Sequence, residues 1–109
     1  MIYLKKKLQM MKQEEHQKDV NAFVEFMVEE ILKRARVGMT TFGCTYPMYV
    51  RYLKSHNAQT GKERHVSFQE LESGLRDRFP DSKIEVSQYS FENNYGEQET
   101  EKELVVNWS

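Results

Sequence analysis

The side chains best suited to nucleophilic or metal chemistry in this chain are its single cysteine, Cys44, and its three histidines, His16, His56 and His65. A tetrahedral metal site needs a short element to present ligands together, and no two of these residues stand at such a spacing. Neither a metal nor a cofactor is expected. Cys44 with His56 or His65 would supply a thiolate and its base, yet the sequence offers no third orienting group and no oxyanion-hole pattern. A lone cysteine in a β-branched and aromatic run reads instead as a small buried hydrophobe. The pairs Glu14-Glu15 and Glu29-Glu30 fall on charged faces and read as solubilising groups. The five glycines, at 38, 43, 61, 74 and 96, form neither a P-loop nor a dinucleotide fingerprint. These residues predict a non-enzymatic chain with no catalytic residue.

Composition narrows the setting. Hydrophobic residues make up 39% and charged residues 30% of the 109, which suits one globular domain with a highly charged surface. So short a chain could not bury a second core large enough to offset its ordering entropy. The net charge of −1 conceals an asymmetry: residues 1–64 hold twelve Lys/Arg against seven Asp/Glu, and residues 65–109 hold four against ten. Halves of opposite sign can attract within the fold or between copies. A single cysteine forms no intrachain disulfide, which points to an intracellular compartment such as the cytoplasm. Met1-Ile2-Tyr3-Leu4 before Lys5-Lys6-Lys7 lacks the order of a signal peptide, and no segment approaches the roughly 20 apolar residues of a membrane span. No membrane partner is expected.

The elements follow from spacing. Val20, Phe23, Val24, Met27, Val28, Ile31, Leu32 and Ala35 draw one apolar stripe along a helix, with Asp19 placed to cap it. Lys33, Arg34 and Arg36 suit the negative end of its dipole, and Gly38 suits the left-handed residue beyond. Upstream, Leu4, Leu8 and Met11 keep a sparse helical rhythm, so residues 1–18 are expected as a helical extension or flexible arm on a single domain at 19–109. Met39 to Tyr46 reads as a strand and Pro47 to Leu53 as a short helix, while Ser55 to Arg64 reads as a surface loop. Ser67-Phe68-Gln69-Glu70 has capping-box spacing, and the helix it opens should stop at Phe79-Pro80-Asp81-Ser82.

The remainder reads as a hairpin. Strands at Lys83 to Val86 and Leu104 to Trp108 flank an acidic connection from Asn93 to Glu101, with Ile84, Val86, Leu104, Val106 and Trp108 turned toward the long helix. Past Val86 the alternation slips, which suggests a bulge or a second buried surface, and Tyr89 and Phe91 take the outward phase. That aromatic pair either packs beneath the N-terminal segment or holds a partner or lid. Leu4, Leu8, Met11, Tyr89 and Phe91 are therefore the candidate partner contacts. The fold class is α+β: a long N-terminal amphipathic helix and a second helix packed on a small, mainly antiparallel three-stranded sheet.

A winged-helix-like nucleic-acid-binding protein is the alternative, since helix, strand, two helices and a hairpin come in that order. In such a fold the second paired helix enters the major groove and the hairpin is the wing. Here the helix carries Glu70, Glu72 and Asp77 against Arg76 and Arg78, and the stretch from Glu92 to Glu103 holds five Glu and one Lys. Such a wing would repel phosphate, whereas Lys5, Lys6, Lys7 and Lys12 could still touch nucleic acid or an acidic protein.

The run Leu75-Arg76-Asp77-Arg78-Phe79-Pro80-Asp81-Ser82-Lys83-Ile84-Glu85-Val86, with the ending Leu104-Val105-Val106-Asn107-Trp108-Ser109, resembles small α/β proteins encoded by large double-stranded DNA viruses. The likeness spans roughly residues 20–109 and implies a viral origin and a place in the virion; it transfers no site residue. The expectation is a non-enzymatic protein-interaction module, a structural or accessory component of a viral particle or other large assembly, binding a protein partner or a second copy of itself.

Overall fold

The longest element, α1 (Lys5–Arg36), runs unbroken for 32 residues in this computed structural model, which describes Ile2 and residues 4–109. Met1 and Tyr3, part of the expected arm, lie outside the described residues. The helix does not start at Asp19 but at Lys5, so residues 5–18 take the helical form of the two expected for the arm. Lys, Leu, Met, Gln and Glu fill residues 5–18, all strong helix formers, so the backbone continues upstream without a core to hold it. Asp19 serves instead as an ion-pair acceptor for Lys62 and Arg64, as shown below.

The chain continues through β1 (Thr41–Thr45), α2 (Tyr46–Thr60), α3 (Phe68–Arg78), β2 (Lys83–Glu92) and β3 (Gln98–Asn107). The strands form one antiparallel sheet in the order β1-β3-β2. α2 is twice the length expected. Pro47 stands in its first turn, Thr45 accepts from the Met48 N–H, and left-handed Gly61 (φ 69°) closes it, so most of the supposed loop at 55–64 is helix. α3 matches its expected bounds, with Ser67 and Glu70 making both bonds of the capping box.

The core lies where α1 and α2 meet one face of the sheet, with α3 packed on α1. Phe23, Val24, Met27 and Ile31 of α1 are fully or almost fully buried, against Phe42 and Cys44 of β1, Leu71 and Leu75 of α3, and Leu104 and Val106 of β3. The expected stripe on α1 narrows toward its end: Val28 and Leu32 are half-buried and Ala35 is exposed. Two close contacts lock the helices. Gly74 lets α3 approach α1 so nearly that a Cβ there would lie 2.5 Å from a Val24 methyl. Arg34 lays its guanidinium 5.1 Å from the centre of the Phe42 ring, tying the end of α1 to β1. Trp108 packs on this core, and its backbone N–H donates to Thr40.

β2 and β3 pair without a bulge from Lys83↔Asn107 to Glu92↔Gln98, so the strands run well past the four- and five-residue segments expected. β1 reaches only to Thr45↔Glu103. Beyond that point the hairpin extends without a third strand beside β3, and residues 94–100 are all exposed.

Candidate functional site

Of the groups first suspected of chemistry, Cys44, His56 and His16 make structural contacts. Cys44 is buried on β1, its thiol directed at the Thr45 carbonyl 3.6 Å away, and burial with the Glu103 carboxylate nearby pushes its pKa up to about 12. A thiol so shifted is protonated at neutral pH and is a poor nucleophile. His56 is buried on α2 with its ring 5.0 Å from that of Phe26 and 5.9 Å from that of Phe23, and burial, followed by Arg64, lowers its pKa below the ordinary range. Its Nε2 has no hydrogen-bond partner among the described residues. Neutral imidazole is the form this apolar contact favours. His65 is exposed, and His16 Nε2 lies 2.7 Å from a Glu70 carboxylate oxygen, joining the arm to the start of α3. Burial acts to raise the Glu70 pKa, but the Ser67 N–H and His16 bonds outweigh it and hold the carboxyl low. No group of three or more His, Cys, Asp or Glu among the described residues is arranged to hold a metal.

Asp19 belongs to a clamp. Its carboxylate accepts from Lys62 at 2.8 Å and pairs with Arg64 at 3.4 Å, and the Lys62 bond above all draws its pKa down. Asn57 donates to the Arg64 carbonyl and Tyr49 to that of Val66, so the segment after α2 is pinned across α1 and α2. The open cleft beside it, about 580 Å³ and lined by Tyr46, Tyr49, His65, Phe68 and Glu70, holds no cage. The three aromatic rings stand 5.4–6.1 Å apart, centre to centre.

What the core does not use are two projecting surfaces. Every described residue from Leu4 to Lys18 is exposed, with Leu4 at 68%, Leu8 at 52% and Met11 at 50%. At about 100° per residue, Leu8 and Met11 stand about 120° around α1 from Val20 and Phe23, twelve residues on. The arm's apolar stripe thus faces away from the side that packs on the body. Its start is bare: Leu4 gives no side-chain cap, and the first turn holds no acidic residue to meet the positive end of the dipole.

The second surface is the outer face of the hairpin. Tyr89 and Phe91 do not pack beneath the N-terminal segment, as one expectation had it; Tyr89 is 37% exposed, Phe91 is half-buried, and their rings lie 6.0 Å apart on the side of the sheet away from the helices. Directly across β3, Glu101 faces Tyr89 and Glu99 faces Phe91. The Tyr89 hydroxyl donates to Glu101 at 2.7 Å, which with the surrounding negative charge raises its pKa to about 12. Asn93 donates to Glu99 at 2.9 Å and shapes the turn. The sequence reading named the aromatics but missed the glutamates opposite them, because only the register of a continuous hairpin pairs these residues. Phase counting from Met11 to Phe23 would have revealed the rotated stripe.

No helix among the described residues is long and apolar enough to cross a membrane. The chain matches no family model, no curated protein and no solved structure.

Proposed function

We propose that the chain is a non-enzymatic protein-interaction module, a small structural or accessory component of a larger assembly, which grips its partner with the helical arm and the aromatic face of the hairpin. The observation that carries this reading is the arm: fifteen consecutive residues, 4–18, hold helical or capping geometry with none buried, and their apolar side chains sit off the core-facing side of the helix. Fully covering a Leu or Met side chain stabilises by about 1.5–3 kcal/mol, so three such residues and two aromatics offset part of the cost of association. The single buried Cys44 suits a reducing, intracellular compartment. A virion as the assembly rests on the resemblance of residues 75–86 and 104–109 alone.

The test is recovery of partners from the native source by the full chain and by a Leu8→Glu, Met11→Glu variant with an unchanged melting temperature. The reading expects a protein retained by the wild type and lost by the variant. Identical recoveries from both would remove its support.

Nucleic-acid binding is kept as a second reading because the element order α1-β1-α2-α3-β2-β3 is that of a winged-helix arrangement. Against it stands the charge of the surface such a fold would use. Arg76 is paired with Glu72 at 3.0 Å and Arg78 with Glu25 at 2.6 Å, which leaves Asp77 and the hairpin glutamates to face phosphate. Fold order is analogy, whereas charge acts directly on affinity.

A further inference from the structure

We infer that the outer face of the β2–β3 hairpin receives the N-terminal arm of a second copy of this chain, an inference that rests on the interaction-module reading and names its partner. Charge is the first argument. Residues 2–18 carry five lysines against two glutamates, and residues 92–103 carry five glutamates against one lysine. Two arms, both lysine-rich, gain less from meeting each other than either gains from an acidic face.

Spacing is the second argument. Leu4, Leu8 and Met11 recur about once per helical turn, roughly every 5–6 Å along the axis. Tyr89 and Phe91 present their rings at 6.0 Å on the hairpin, a matching interval. Lys5 and Lys12 fall on one flank of the arm's stripe, roughly 10 Å apart. Glu99, Glu101 and Glu103 alternate along the same hairpin face over roughly 13 Å, beside the aromatic pair. An apolar stripe edged by lysines thus meets an aromatic strip edged by glutamates. The bare, positive start of α1 adds a third reason, since carboxylates placed there offset both the lysines and the exposed helix dipole.

The arm leaves one copy and the hairpin receives it on another, so two copies that exchange arms close an isologous dimer, and a one-way exchange propagates as a heterologous contact. Sedimentation of the full chain over a concentration series reads it. The expected result is association that weakens as salt rises, with Kd raised about tenfold or more by Lys5→Glu with Lys12→Glu, and likewise by Glu99→Lys with Glu101→Lys. Mixing the two charge-reversed proteins, or joining all four changes in one chain, restores association. A Glu99→Gln, Glu101→Gln variant keeps acceptors for Asn93 and Tyr89, and it separates lost charge from a damaged hairpin.

Three results overturn the inference: a chain monomeric at every concentration, association indifferent to both reversals, or sensitivity confined to one surface, which would assign arm-to-arm or hairpin-to-hairpin contact. A monomer whose foreign partner is lost on Leu8→Glu, Met11→Glu sinks the self-docking and leaves the module reading standing. A monomer whose recoveries are unaffected by that variant sinks both.

Discussion

Gly74 and Val24 mark a close approach between α3 and α1, and the contact fixes how α3 is seated on α1. A Cβ at 74 collides with the Val24 side chain, at a cost of about 1–3 kcal/mol, against roughly 1 kcal/mol gained from alanine's helix propensity. Gly74→Ala is thus expected to destabilise by up to about 2 kcal/mol in urea unfolding, and with Val24→Ala the loss should fall short of the sum of the single losses, because the smaller side chain makes room. His56 gives a second prediction. Its pKa is lowered in the fold from an ordinary 6.5, first by burial and then by Arg64, so the unfolded chain binds more protons just below that pH. Stability is full above about 6.5 and declines as pH falls toward the folded-state value. Unfolding of wild type and His56→Phe between pH 7.5 and 5 checks this against the ordinary histidine range. The variant should lose the part of the slope that begins near 6.5, while the Asp19 clamp, whose pKa is lowered chiefly by its Lys62 bond, weakens only at more acid pH.

The elements show which sequence patterns were legible and why. α3 could be bounded to the residue because Ser67 and Glu70 close its start and Phe79-Pro80 its end. The buried flank of α1 was equally plain from the spacing of Val20, Phe23, Val24, Met27 and Ile31. The start of α1 was hidden because no capping residue announces it; propensity alone carries the helix upstream. α2 was cut short in the reading because residues 54–60 are mostly polar, although His56 turns inward among them. The hairpin strands run further than expected for a related reason: Gln88, Ser90 and Thr100 share the face of Ile84 but are exposed on a ribbon wet on both sides, so the period-two apolar signal fades while the backbone ladder continues. Hydrogen exchange of the dilute chain should therefore divide α1 in two. Amides of residues 20–33 exchange slowly, and those before His16 at least about tenfold faster, since only packing confers deep protection. Uniform protection along the whole helix would contradict an unsupported arm.

For the whole molecule, the packed body and its two appendages differ in charge as well as in burial. The surface of α3 and the hairpin that a winged-helix arrangement would turn to DNA is acidic, so duplex binding is expected to be no tighter than about 10⁻⁴ M at physiological salt, the weak end of non-specific affinity. Fluorescence anisotropy on a salt series checks it; tight binding with a steep salt slope would show that cations reach phosphate by another route. Site-specific photo-crosslinking reads whether contacts are made by the arm and the hairpin and not by the exposed side of α3. A photoreactive residue replaces Met11, Tyr89 or Ser73, one at a time, in the full chain within its native source. Protein adducts are expected from positions 11 and 89 and none from 73. Adducts from 73 alone, or crosslinks to nucleic acid from any of the three, would contradict protein contact through the arm and the hairpin.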